Sequence, residues 1–140
     1  MNTKTILAIG MTSAMMLTFN ACQQSSRENP LLAESSLPFG APDFSKIQVT
    51  DYAPAFMQAM EETSQNIQAI VDCKDSATFE NTILPFEDSG KSLARVSSVF
   101  FALTEADKSP ELSEIEKTVQ PLLTDLQNEI SFKFWSWLLS

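Results

Sequence analysis

From Ala77 to Leu103 the chain reads ATFENTILPFEDSGKSLARVSSVFFAL, and Phe79, Ile83, Phe86, Leu93, Val96, Phe100 and Leu103 recur in it at spacings of three, four and seven. Residues spaced in this way share one side of a helix. Two breakers interrupt the pattern. Pro85 lacks a backbone N–H and costs about 3 kcal/mol in a helix interior, and Gly90 weakens the helix further. The spacing therefore predicts helix over residues 78–103, kinked or divided at Pro85, with Thr78 as its cap. Glu80, Glu87, Asp88, Lys91 and Arg95 fall on the solvent face, where Glu87 and Lys91 are spaced as an i,i+4 ion pair.

The flanking sequence keeps the same period. Asp51 offers a carboxylate to the free N–H groups of a first turn, in which Pro54 is tolerated. Phe56, Met60, Ile67, Ile70 and Val71 then stripe a helix over about residues 51–72. Met57 and Met60 are expected as gap-fillers in a core. Glu61 and Glu62 lie on the wet side, and as helical neighbours they point about 100° apart, which does not make a paired-carboxylate catalyst. Ser109 and Pro110 announce a further helix over residues 109–131 as N-cap and first residue, striped by Leu112, Ile115, Val119, Leu122, Leu123, Leu126 and Ile130 and kinked at Pro121. The expected fold is all-α, with three to four amphipathic helices. Before them runs an extended Pro-rich segment, Arg27 to Thr50, holding Pro30, Pro38, Gly40 and Pro42. Leu31, Leu32, Leu37, Phe39, Phe44 and Ile47 are too many apolar residues for a free tether, so this segment should lie along the domain.

Composition removes most catalytic chemistry. Among 140 residues there is no histidine, so neither a Ser-His-Asp nor a Cys-His nucleophile system can be built. The formal charge is -9, and without Lys4 of the leader 8 basic residues face 18 acidic ones. Such a surface does not suit nucleic acid, whose phosphates demand a basic face, nor electrostatic attachment to anionic lipid.

Residues 1–21 read as an export signal, with Lys4 as its positive start and an apolar run from Ile6 to Phe19. That run falls short of the about 20 apolar residues of a spanning helix. LTFNAC, Leu17 to Cys22, resembles a bacterial lipobox, which implies lipidation of Cys22 and a mature protein beginning there. Residues 22–28, with the polar run QQSS, form a tether. Acyl chains, at about 0.8 kcal/mol per buried CH₂, would hold an acidic domain at a membrane facing the periplasm or cell exterior. Cys73 then has no disulfide partner and reads as a small residue in the turn CKDS.

NPLLAESSLPFGAPDFSKIQVTDYAPAFMQAM, Asn29 to Met60, together with the stretch from Ala77, closely resembles the N-terminal part of bacterial peptidyl-dipeptidases of the Dcp type, in the thimet-oligopeptidase group of zinc metallopeptidases. The resemblance covers residues 29–131. It implies the opening portion of a mostly helical, clam-like enzyme that releases C-terminal dipeptides from short peptides, where these helices help form a wall or lid. That family holds zinc with two histidines of HExxH and a downstream glutamate, and none of these has a counterpart here. No catalytic or metal residue is carried over, and zinc and peptides belong to a full-length relative. After NEIS, Asn128 to Ser131, the family pattern gives way to FKFWSWLLS, Phe132 to Ser140. The expectation is a non-catalytic N-terminal fragment ended by a frameshift or truncated gene, with a natural short paralogue bearing an aromatic membrane-interface tail as its rival. The alternative is a stand-alone helical lipoprotein that binds a peptide or partner protein. A fragment should be unstable alone, whereas a binding module should melt cooperatively.

Overall fold

The computed structural model describes residues 27–107 and 109–139; the export signal expected over residues 1–21, Cys22 and the start of the tether lie outside them. Four α-helices follow one another: α1, Val49–Val71; α2, Leu84–Ser89; α3, Lys91–Ala106; and α4, Pro110–Leu138. A 3₁₀ turn at Pro38–Gly40 precedes α1, and a π turn at Phe79–Ile83 leads into α2. The fold is all-α, as the periodicity requires, with no strand among the described residues.

Helix α1 is the central element and packs against α2, α3 and α4. Near its far end Asn66 donates to the carbonyl of Ser89, just before α3 begins, while near its start Tyr52 and Phe56 meet Phe100. Helix α3 therefore returns antiparallel to α1. Helix α4 then runs parallel to α1, with Ser64 bonded to Glu129. The shared interior is filled by Tyr52, Ala55, Phe56, Ala59 and Met60 of α1, Val96, Val99 and Phe100 of α3, and Leu112, Val119 and Leu126 of α4. Leu31 of the irregular segment closes it, with Leu32 and Ile47 packed alongside. Phe100 stands edge-on to Tyr52, Phe56 and Phe101 at ring separations of 5.2–5.3 Å. Each such pair adds about 0.5–1.5 kcal/mol to the burial of its rings.

The helix ends follow local chemistry, with two departures from expectation around α1. Its cap is Gln48, and Asp51 acts from inside the first turn, accepting the Gln48 N–H at 2.7 Å. One guanidinium nitrogen of Arg27 donates to both carboxylate oxygens of Asp51, at 2.6 and 2.5 Å, the other donates to the Lys46 carbonyl, and Asn29 donates to the Asp51 carbonyl. This knot fastens the irregular segment to the start of α1. Pro54 lies in the sixth position of the helix, so α1 forgoes one backbone bond, to Thr50. Met60 is buried as expected, but Met57 is exposed. Within the irregular segment Leu37, Phe39 and Phe44 are exposed as well.

The central stretch divides twice, where the π turn gives way to α2 at Leu84 beside Pro85, and again at Gly90; Pro85 sits in the first turn of α2. Thr78 caps the π turn: its hydroxyl accepts the Asn81 N–H while the Asn81 side chain accepts the Thr78 N–H. The wider π turn and the break at Gly90 rotate residues 79–89 off the face of α3. Phe79, Ile83 and Phe86, expected on the buried side with Val96 and Phe100, are exposed, and Thr82 and Ser89 are buried instead. Lys91 pairs with Asp88 at 2.6 Å rather than with Glu87. Helix α4 starts as read, with the Ser109 hydroxyl accepting the Leu112 N–H. It passes through Pro121 and continues beyond residue 131 to Leu138.

Candidate interaction surface

No histidine-dependent catalytic centre can be assembled from this chain. The chain has no histidine, and no group of three or more Cys, Asp or Glu side chains among the described residues is placed to hold a metal ion. The zinc of the resembled enzymes therefore does not fit these donors: lone surface carboxylates without a nitrogen or thiolate companion do not make its tetrahedral shell. Cys73 is half-buried and unbridged, in a groove with Asn66, Ile70, Asn81 and Pro85. Cys22, the expected lipidation site, lies outside the described residues. Among the described residues no helix is long and apolar enough to cross a membrane.

One cleft, of about 270 Å³, opens between the irregular segment and α3. Leu31, Ile47 and Val99 form its floor, and Arg95 and Lys46 edge it. Both cations are engaged: Arg95 donates to the Leu32 carbonyl at 3.2 Å, and Lys46 pairs with Asp43 at 2.8 Å. The Lys46 ammonium and the Ser45 hydroxyl hold the Asp43 carboxyl below its ordinary value.

The chemistry that remains is apolar and lies at the end of the bundle where α1 finishes. Phe86 of α2 meets Phe134 of α4 at 5.4 Å, and Phe134 meets Trp137 at 5.6 Å. Beside this ladder Phe79, Ile83, Leu84 and Phe86 remain exposed on the α2 side, and Phe132, Trp135, Leu138 and Leu139 on α4. One charged group anchors the base of the tail: Lys133 pairs with Glu129 at 2.6 Å, and Ser64 donates to the same carboxylate. Lys133 first, and Ser64 second, hold Glu129 below the usual carboxylate range.

The tail's apolar residues are Phe132, Phe134, Trp135, Trp137, Leu138 and Leu139. The structure divides them, turning Phe134 and Trp137 inward and leaving the others outward. Sequence reasoning missed that residues 79–86 contribute to the same end, because it placed them in line with α3. The signal was available in the pairing of Pro85 with Gly90, two breakers five residues apart.

No family model matches the chain. Individual proteins do, in agreement with the resemblance read from the sequence. The chain is 41% identical over 102 residues to the dipeptidyl carboxypeptidases of Salmonella typhimurium and Escherichia coli. That match spans 73% of this chain and 15% of each of those relatives. It is 33% identical over 97 residues to oligopeptidase A of Escherichia coli, across 69% of this chain and 14% of that protein.

Proposed function

We propose that residues 29–131 serve as a non-catalytic helical part of a zinc-dependent peptidyl-dipeptidase, an enzyme that releases C-terminal dipeptides from short peptides. The observation that carries this reading is the 41% identity to two dipeptidyl carboxypeptidases over 102 residues. Its role is structural: these helices contribute a wall of the chamber, while metal and catalytic groups reside in sequence of the kind found in full-length relatives. The exposed Phe79, Ile83, Leu84 and Phe86 supply an apolar face for such an enclosing body to cover. The protein is exported and held at a membrane by acyl chains on Cys22, on the periplasmic or outer side of the cell.

The test is to incubate the purified chain with a short peptide bearing a free C-terminus, with added zinc and again with a chelator. No dipeptide release is expected in either case. Release that the chelator abolishes would overturn the non-catalytic role. Replacing Cys22 by Ser should abolish incorporation of labelled fatty acid; unchanged incorporation would overturn the anchor. The same apolar face also favours a second reading, a stand-alone lipoprotein that binds a peptide or partner protein. A cooperative, reversible melt of the isolated chain would move that reading ahead.

A further inference from the structure

The end of α4 carries two apolar stripes. The inner one, Leu126, Ile130, Phe134 and Trp137, is buried or half-buried toward the bundle. The outer one is Phe132, Trp135 and Leu139, spaced i, i+3, i+7, with Leu138 beside it. These four side chains are 81%, 63%, 83% and 57% exposed in that order. Charge is segregated along the same helix. All 18 acidic residues of the chain lie at or before Glu129, and from Ile130 onward Lys133 is the one charged side chain. The polar residues among the aromatic ones are Ser131 and Ser136.

We propose that this outer stripe is a membrane-contact surface that seats in the headgroup zone of an uncharged, zwitterionic phospholipid bilayer. The proposal stands on α4 alone and rests on the stand-alone lipoprotein reading, in which residues 132–140 are a working part of the protein. An indole ring suits the boundary between water and hydrocarbon, having an apolar body and an N–H donor. A neutral aromatic tip on a strongly acidic chain favours lipid without net charge, since an anionic surface would repel the rest of the molecule. A second copy is a poorer occupant. Two copies, each with a formal charge of -9, repel one another, whereas an uncharged bilayer does not repel the chain.

The two tryptophans make the test direct, because one faces out and the other in. In the full chain, Trp137→Phe leaves Trp135 as the sole indole, and Trp135→Phe leaves Trp137. Circular dichroism establishes that both variants keep their helix content. With phosphatidylcholine vesicles, the emission of Trp135 should shift to the blue and be quenched by bromine-labelled acyl chains, while Trp137 should change little. Adding Phe132→Ser and Leu139→Ser to the Trp135 reporter should weaken partitioning by roughly a hundredfold. This local probe separates the stripe from any affinity of residues 1–26 for lipid. The proposal is overturned if Trp135 does not respond. It is equally overturned if both indoles respond alike, or if the shift follows protein concentration without vesicles and coincides with dimer in sedimentation.

Discussion

Replacing Tyr52 by Phe should make the protein more stable. The Tyr52 ring is 1% exposed and lies edge-on to Phe100 at 5.2 Å, yet its hydroxyl has no hydrogen-bond partner among the described residues. A buried donor left unpaired costs about 1–3 kcal/mol. Removing the oxygen keeps the ring, its packing and its contact with Phe100. A gain of about 1 kcal/mol is expected, or a rise of roughly 3–4 °C in Tm for a domain of this size. Burial, and secondarily the Asp51 carboxylate, pushes the Tyr52 hydroxyl above its ordinary value of 10.0. The sign follows from linkage: above pH 10 the unfolded chain releases this proton while the folded one retains it, so stability falls as pH rises through that region. The Phe variant has no such proton, and its advantage should therefore widen above pH 10. Urea titrations of both proteins at pH 7 and pH 10.5 measure this. A Phe variant destabilised by 1 kcal/mol or more at pH 7 would show that the hydroxyl is bonded and would refute the reasoning.

Three further outcomes follow from the same packing. Phe100→Ala should cost about 3–5 kcal/mol, because it empties the centre of a ring cluster, whereas Phe132→Ala should change urea stability by less than about 0.5 kcal/mol. Ser109→Ala removes the acceptor for the Leu112 N–H and should cost about 1 kcal/mol, read from the urea midpoint, while Ser109→Asp should restore it. Glu129 is held below its ordinary 4.5 by Lys133 and Ser64. As a depressed carboxylate it stabilises the fold above about pH 4.5 and loses that contribution as pH falls toward its folded value. The side chain is about half exposed, so the effect is small. Glu129→Gln should flatten the acid side of the stability profile slightly and leave pH 7 to 8 parallel to wild type.

The parts of this fold that could be read from the sequence are those that rest on uninterrupted 3.6-residue periodicity. Ile67, Ile70, Val96, Phe100, Leu112, Val119 and Leu126 are buried where the period places them. The Thr78 and Ser109 caps also form as read, since a cap is decided within three residues. What failed is the phase across breakers. Gly90 and the π turn reset the helical angle, and so Phe79, Ile83 and Phe86 left the face they were assigned to. Met57 shows a related limit: one step along the helix from Phe56 turns a side chain by about 100°, and no composition rule says which of two neighbouring methionines faces inward. The division of the aromatic tail needed tertiary information, because Phe134 is recognised as an inner residue only through its contact with Phe86. The exclusion of histidine-dependent catalysis needed none, following from the missing histidine alone.

The central claim, that these helices are a non-catalytic part of a zinc peptidase, is tested most directly at the level of the gene. Reading the coding DNA from the codon of Gln127 through and past that of Ser140 should reveal, in this frame or another, a resumed peptidase pattern and, further on, an encoded HExxH. If no frame downstream resumes that pattern, the claim is contradicted, and the aromatic end of α4 belongs to a protein with a function of its own.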